Sequence, residues 1–438
     1  MRVFMKGKIF FFVLCVGIVF ISCSNVAEDK NDVRSNASVL KFLNIQNAKN
    51  LYIGTSNSGT RSAGDSATSQ KLFKITEDGY VEEVKYLDEN KKEITISQQP
   101  TVIQTVNEEY IFVGFGWWDS ISTSYLVRKT DGAVFDMTKA GNPVGGANGY
   151  VNAPMFIPDN KNNLYFLTWD PQNIGHGWVV VKINLNGTSV LSSSIVSAPT
   201  DYVNLFDVDS DGNVIYDGMH KELSHYFSRI RKVNGSFENI ESNLSVMTSW
   251  MGFDGNFYFW SLDDGNEEYW HGIKKMTIDE TYKTNYEICS YVNDWFSRSG
   301  CSKIILKDKI FFIGGASILE VFNEGKEMKK IELANLNIQS TLAVTSTENY
   351  YYILGVDTSS LKFLIRVNPN DHSYINLLSQ NEYDVYAFTA SETDGITFNA
   401  LRMSDGKKII GKVGIDGGDV TIIDEESDVE ITYLERIN

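Results

Sequence analysis

Residues 350–370 read YYYILGVDTSSLKFLIRVNPN, two apolar runs that are separated by a short polar turn and followed by a second turn. Tyr, Ile, Leu, Val and Phe dominate both runs, which is the composition of a pleated, buried β-strand. The first run predicts a strand, and the second, which starts at Lys362 and is followed by the turn at Pro369-Asn370, predicts the start of a β-hairpin. The same pattern recurs along the chain, and this recurrence decides the fold.

The pattern occurs eight times. In each repeat an apolar run precedes a hairpin of two further runs, and another apolar stretch, such as Tyr202 to Val208, comes before it. Six of the hairpins turn on a Gly, as at Asp78-Gly79, which supplies the positive φ of a tight turn; the other two turn at Asp279-Glu280 and Pro369-Asn370. The hairpins start 44 to 54 residues apart, at Lys71, Ser124, Trp178, His225, Gly272, Ala316, Lys362 and Lys407. The runs before them are residues 50–55, 110–116, 163–169, 213–218, 256–261, 309–314, 350–355 and 395–401.

Four short strands per repeat, repeated at this period, predict an all-β chain folded as a β-propeller of eight blades with four antiparallel strands each. The run from Ile431 to Ile437 is an extra strand, which we expect to close the ring by pairing with the first blade. Seven blades with an N-terminal extension are the main alternative, and a multi-domain β-sandwich is a more distant one.

Composition limits the function. The chain has 438 residues, 42% of them hydrophobic, with 25 Phe and 22 Tyr against 7 Pro; it can bury a large core, and its bulk is not intrinsically disordered. The 56 Asp and Glu exceed the 39 Lys and Arg, which gives a net charge of −17. No basic cluster interrupts this excess, so the composition argues against nucleic acid as a partner.

The N-terminus has the pattern of a secretory signal. Arg2, Lys6 and Lys8 precede an apolar run, residues 9–21, that is too short to span a membrane comfortably. The predicted divisions are a signal peptide over residues 1–22, a flexible polar tether over 23–37 and the propeller over 38–438. An ordinary signal peptide and an uncleaved anchor are the alternatives to a lipoprotein signal.

Residues 20–23, Phe-Ile-Ser-Cys, resemble the lipobox of bacterial lipoproteins. This resemblance implies that Cys23 carries a lipid and that the protein is anchored in the cell envelope, at the periplasmic or surface face of the outer membrane. The repeat pattern as a whole resembles the secreted bacterial propellers of the YncE or quinoprotein-like class. It lacks the blade-ending Trp-Asp dipeptide and the Asp box of other propeller families, and one kelch-like double glycine occurs, at Gly314-Gly315.

Two cysteines remain after the signal and the lipid site are set aside. Cys289 and Cys301 would lie in an oxidising compartment, where a disulfide between them would close a short loop and contribute about 2 to 3 kcal/mol. Two buried free thiols are the alternative.

The candidate binding site lies in the loops between the second and third strands of the repeats. Ligands of propellers usually bind at the mouth of the central channel, which these loops line together with the connections between blades. Aromatic rings flanked by carboxylates suit sugar rings, because the rings stack on C–H faces while the acids accept hydroxyl protons. The sequence therefore predicts a glycan-binding or protein-binding module. Its predicted contacts are Trp117, Trp118, Asp119, Trp169, His176, Trp270 and His271, and we expect Trp250, Trp295 and Arg298 on connections between blades that open on the same face.

Other chemistries have weaker support in the sequence. A polysaccharide hydrolase or lyase that uses Asp119, Asp170 or Asp263 is the competing hypothesis. The histidines His176, His220, His225 and His271 show no metal-ligand spacing, and residues 207–212, which match half of an EF-hand loop, lack the acid that should follow at position 218. We therefore expect no metal and no cofactor.

Overall fold

The structure is a computed structural model. It describes residues 40–56, 69–96, 98–117, 120–137, 327–425 and 431–437, together with the strands and a few adjoining residues between 156 and 322. The predicted signal peptide and tether, residues 1–22 and 23–37, and the lipid site Cys23 lie outside the described residues. Within the described part, no helix has the length and apolar character needed to cross a membrane.

The described residues include eight antiparallel sheets of four strands each, and we call these sheets blades 1 to 8. Within each blade the strands pair in the order first, second, third, fourth. Blade 1 consists of Ile431–Arg436, Ala48–Ser56, Ser69–Thr76 and Val81–Glu83; blade 2 of Gln99–Thr105, Tyr110–Trp117, Ser120–Arg128 and Val134–Asp136. Blade 3 consists of Phe156–Pro158, Asn163–Trp169, Trp178–Asn184 and Ser192–Ile195; blade 4 of Tyr202–Val208, Val214–Met219, Tyr226–Arg231 and Phe237–Glu241. Blade 5 consists of Leu244–Met251, Phe257–Asp263, His271–Ile278 and Thr284–Val292; blade 6 of Ser302–Leu306, Lys309–Gly314, Ser317–Phe322 and Glu327–Glu332. Blade 7 consists of Ser340–Ser346, Tyr351–Val356, Lys362–Val367 and Tyr374–Ser379; blade 8 of Tyr383–Ser391, Gly395–Arg402, Lys407–Val413 and Thr421–Asp424.

These sheets confirm the predicted eight-bladed propeller. Each predicted hairpin start lies within a few residues of an observed third strand, and each predicted preceding run overlaps an observed second strand. Three predicted Gly turns are described, and Gly79, Gly132 and Gly417 all have positive φ. At the Pro369-Asn370 turn the residue with positive φ is His372. Trp250 lies inside the first strand of blade 5, so its expected place on a connection between blades is wrong.

The blades pack face to face because side chains alternate between the two faces of a strand. In the second strand of blade 1, Leu51 and Ile53 pack in a cluster with blade 2, whereas Tyr52 between them packs in a cluster with blade 8. Further clusters join blades 2 and 3, 6 and 7, and 7 and 8. The first strands of neighbouring blades contact one another, as in the contact between Tyr383–Ser391 and Ile431–Arg436, so they form the inner ring around the channel.

The C-terminal strand closes this ring, as predicted. Ile431–Arg436 pairs antiparallel with Ala48–Ser56, with Tyr52 opposite Leu434 and Asn50 opposite Arg436. The strand thereby occupies the innermost position of blade 1. Two strands that are about 380 positions apart in the sequence thus pair in one sheet. Because the chain leaves blade 8 and enters the innermost strand of blade 1, the backbone as well as the side chains connects the last blade to the first.

A small additional sheet was not predicted. Phe42–Leu43, Tyr86–Leu87 and Glu93–Ile94 form three short antiparallel strands beside blade 1. The Leu43 amide donates a hydrogen bond to the Gly132 carbonyl of blade 2, so the N-terminal segment links the outer parts of two blades. One 3-10 helix, Leu333–Leu336, leads from blade 6 to blade 7.

Candidate functional site

Strand direction gives the propeller two distinct faces. We call the end at which second strands lead into third strands the upper face; the segments from one blade to the next also lie there. The opposite end, where first strands lead into second strands and third strands into fourth strands, is the lower face. Successive antiparallel strands reverse direction, so each face collects the same kinds of loop from every blade.

The backbone places three predicted site residues at the upper face. Trp117 ends the second strand of blade 2 and is paired with Ser120 across the turn. Trp169 ends the second strand of blade 3, opposite Trp178. His271 begins the third strand of blade 5. The topology therefore brings these positions to one face of the ring.

The remaining predicted contacts are not described by the structure. Trp118, Asp119, His176 and Trp270 lie outside the described residues, as do Asp170, His220, His225, Trp295, Arg298 and Cys301. Cys289 lies in the fourth strand of blade 5, and Asp263 ends the second strand of the same blade. The predicted disulfide and the acids of the enzyme hypothesis stay predictions.

A β-bulge recurs near the upper end of the first strand in six of the eight blades. At each bulge the first strand carries one extra residue against the second strand, which bends the strand and redirects the side chain at that point. These extra residues are Thr101, Asn204, Met247, Leu342, Tyr386 and Thr432. Beside them the second strands carry Gly114, Gly218, Ser261, Gly355, Ala400 and Gly54.

The small residues opposite the bulges are the sequence signal that could have revealed them. At Gly355, a Cβ atom would lie 3.1 Å from the side chain of Ile338, on the segment that enters blade 7. A larger residue there would push this segment away. The small residue at Gly355 thus allows the segment that enters blade 7 to approach the second strand closely, and the six bulges set backbone irregularities around the upper opening of the channel.

Blades 7 and 8 show what this face presents to solvent. Leu342 and Tyr386, the bulge residues of these blades, are 53% and 47% exposed. Lys362 Nζ lies 2.7 Å from Asp384 Oδ1 and 5.1 Å from the centre of the Tyr386 ring. An exposed aromatic ring therefore stands beside an ion pair, which offers an apolar surface and hydrogen-bonding groups together.

A small groove continues this surface along blade 7. It has a volume of about 150 Å³ and is lined by Asn337, Asp357, Lys362, Asn376 and Gln380, among others. Amides, a carboxylate and an ammonium in one groove can donate and accept hydrogen bonds. Among the residues that the structure describes, no group of three or more His, Cys, Asp and Glu side chains is arranged to hold a metal ion.

A buried polar cluster joins blades 6 and 7 at the lower face, and no sequence motif predicts it. The Glu320 carboxylate lies 2.6 Å from Lys309 Nζ and 2.9 Å from His372 Nε2. His372 Nδ1 lies 3.5 Å from the Tyr351 hydroxyl. Burial lowers the pKa of His372, against the opposing effect of the Glu320 charge, and burial raises the pKa of Tyr351. The cluster fixes the position of one blade relative to the next.

Comparisons with known proteins identify no family. No protein-family model matches the chain, and no curated protein matches its sequence. A 6-phosphogluconolactonase-like protein of Bacteroides fragilis is 11% identical, with a TM-score of 0.40, over 76% of this chain and 99% of that one. The β-propeller domain of the Trilobed protease from Pyrococcus furiosus is 10% identical, with a TM-score of 0.43, over 76% and 99%. A prolyl endopeptidase is 12% identical, with a TM-score of 0.47, over 85% of this chain and 57% of that one.

Proposed function

We propose that the protein is a binding propeller of the cell envelope and that its upper face holds a glycan. The observation that supports this most directly is Tyr386. Its ring is exposed on a bulge of an inner strand, next to the ion pair of Lys362 and Asp384. Sugar rings bind such surfaces because their C–H faces stack on an aromatic ring while their hydroxyls form hydrogen bonds with charged neighbours.

The predicted loop residues extend this surface around the ring. Trp117 and Trp169 end second strands at the same face, and Trp118, Asp119, His176, Trp270 and His271 complete the predicted contacts. Several aromatic side chains around one opening suit an oligosaccharide better than a monosaccharide, because successive rings can stack on successive sugars. We therefore propose an envelope or dietary polysaccharide as the ligand class.

The test is binding of the purified protein to an array of such polysaccharides, with product analysis of every hit. We expect a bound and intact glycan, and we expect Tyr386→Ala and Trp118→Ala each to weaken binding with little change in melting temperature. Tyr80→Ala is the matched control, since Tyr80 is exposed on a lower-face turn. Glycan binding that survives both upper-face substitutions would contradict the proposed surface. A shortened glycan would instead favour the hydrolase or lyase hypothesis.

A protein partner is the second candidate, and exposed aliphatic side chains favour it. Leu342, Leu361 and Met403 are all exposed at the upper face of blades 7 and 8. A contiguous apolar patch formed by such side chains would be typical of a protein contact. A pull-down from the membrane fraction that succeeds with the native protein, and fails with Leu342→Asp, would support this candidate over a glycan.

We also propose that Cys23 carries the lipid that anchors the protein in the outer membrane. The support is the lipobox-like segment at residues 20–23 behind a basic and apolar leader. In a Gram-negative host, the native protein should fractionate with the outer membrane and carry the mass of an acylated cysteine. A Cys23→Ser variant should lose both properties, and an unchanged distribution of this variant would contradict the proposal.

A further inference from the structure

A cleft at the lower face lies on the seam where the ring closes, far from the upper-face loops. It opens between blade 8 and blade 1 and has a volume of about 200 Å³. Lys49 comes from the second strand of blade 1, Arg436 from its first strand, and Lys412 from the third strand of blade 8. Asp394 stands among them, on the turn between the first and second strands of blade 8.

Three cationic side chains surround one carboxylate in this cleft. Lys49 Nζ lies 2.8 Å and Lys412 Nζ 3.7 Å from the same oxygen, Asp394 Oδ1. The hydrogen bond from Lys49 is the main cause of a lowered pKa for Asp394, and the charges of Lys412 and Arg436 add to it. Three of the six charged residues that line the cleft are cations, in a protein whose net charge is −17, and Asp394 is the one carboxylate of the lining that does not lie on the exposed turn of Glu77 and Asp78.

The remaining lining limits the kind of anion that fits. Hydroxyl groups of Ser391 and Thr397 and the amide of Asn50 border the cleft, so a ligand with hydroxyls of its own would find hydrogen-bonding partners. The acids Glu77 and Asp78 lie on the exposed turn at the rim, where they disfavour a highly charged polyanion. The volume is below the roughly 300 to 1,000 Å³ of drug-sized ligand sites, which limits the ligand to about one sugar ring.

We propose that this cleft binds a small hydroxylated carboxylate, the chemistry of a sugar acid. Its carboxylate contacts Lys412 and Lys49, and its hydroxyls contact the Ser, Thr and Asn side chains. Asp394 is an internal competitor for the same two ammonium groups. The site is distinct from the glycan surface of the upper face, and it joins the first and last blades.

The probes are D-glucuronate and, as the neutral comparison, D-glucose, with binding to the purified full chain measured by calorimetry and by the shift in melting temperature. We expect saturable binding of glucuronate and none of glucose. Lys412→Gln should weaken glucuronate binding by about tenfold or more, the effect of losing one charge-assisted hydrogen bond. Asp394→Asn should strengthen it, because the competing charge is gone while the side-chain shape is kept.

Lys408→Gln is the matched control, since it removes the same charge from the same strand about 13 Å away at the usual strand rise. This variant should bind glucuronate as the native protein does. The proposal is overturned if glucuronate does not bind, if glucose binds equally well, if Lys412→Gln binds unchanged, or if Asp394→Asn fails to bind more tightly. The upper-face variants leave this site untouched, so its failure and the failure of the glycan proposal are separate results.

Discussion

Replacing Leu434 with Ala tests how strongly the C-terminal strand holds the ring. Leu434 is 8% exposed and packs with Tyr52, Ile75 and Ile410 in the cluster between blades 8 and 1. Truncating a buried leucine removes apolar surface and leaves a cavity, which costs about 2 to 5 kcal/mol. The surrounding strands belong to two different blades, and their backbones are fixed by pairing on both sides, so we expect a cost within this range.

Leu342→Ala is the matched control. Leu342 lies in the equivalent inner strand of blade 7, but it is largely exposed, and its truncation should change the free energy of unfolding by no more than about 0.5 kcal/mol. The assay is urea unfolding, monitored by tryptophan fluorescence and circular dichroism. The unfolding midpoints of the variants are compared with one m-value, the dependence of the unfolding free energy on urea concentration, for all of them. Equal costs for the two variants would refute the closure of the ring by residues 431–437.

The remaining predictions concern three other places in the chain. Burial holds the pKa of His372 below its ordinary value of 6.5, so the folded protein binds a proton there less readily than the unfolded chain, and stability should fall as the pH drops below 6.5. His372→Asn keeps a side chain that tolerates positive φ and should flatten this part of a plot of melting temperature against pH; an unchanged slope would contradict the assignment. Gly395→Ala should destabilise the protein far more than Gly406→Ala, because a Cβ at Gly395 would lie 2.3 Å from a backbone carbonyl oxygen while one at Gly406 meets nothing within 4 Å. Gly406→Ala should cost about 1 to 2 kcal/mol, for its positive φ alone. Equal unfolding midpoints of the two variants in urea would count against this geometry. Cys289 and Cys301 should resist alkylation in denaturant until a reductant is added, and a mass shift without reductant would exclude their disulfide.

The repeat architecture could be predicted from sequence because it is encoded locally. A hairpin such as Lys362–Val367 with Tyr374–Ser379 is marked in the sequence by two short apolar runs and the turn between them. Eight such hairpin patterns along the chain predict the number of blades. The closing strand was also predictable, since one apolar run remained without a partner. The three-stranded sheet around Phe42–Leu43 was not, because its strands are two residues long and acquire their structure from contacts with two blades.

The polar sites of the lower face escaped prediction for a different reason. Glu320 and His372 are 52 positions apart and belong to different blades, and Lys49 and Asp394 are separated by 345 positions. No local pattern marks such pairs, because each side chain on its own resembles any other charged residue in a turn or strand. They become a cluster only through the packing of blade on blade. The aromatic loops of the upper face were visible in the sequence because tryptophan is rare and its neighbours are close in the chain.

The two faces of the ring are built to different requirements. At the lower face, short turns with positive φ at Gly79, Gly132 and Gly417 hold the hairpins in fixed geometry, whereas the number of residues between the second and third strands varies from two in blade 2 to twelve in blade 1. Substitutions at the upper face should therefore act on ligand affinity, and those at the lower face on stability. Substitutions in the cleft at the seam should act on both ligand affinity and stability, because the ligand of this cleft would contact blades 8 and 1 together. A ligand that binds only the folded protein raises the free energy of unfolding by an amount set by its concentration and dissociation constant. If Leu434→Ala weakens the seam locally, glucuronate should stabilise this variant less than the native protein while glycan binding at the upper face is unchanged; if it only lowers global stability, the two stabilisations should be equal.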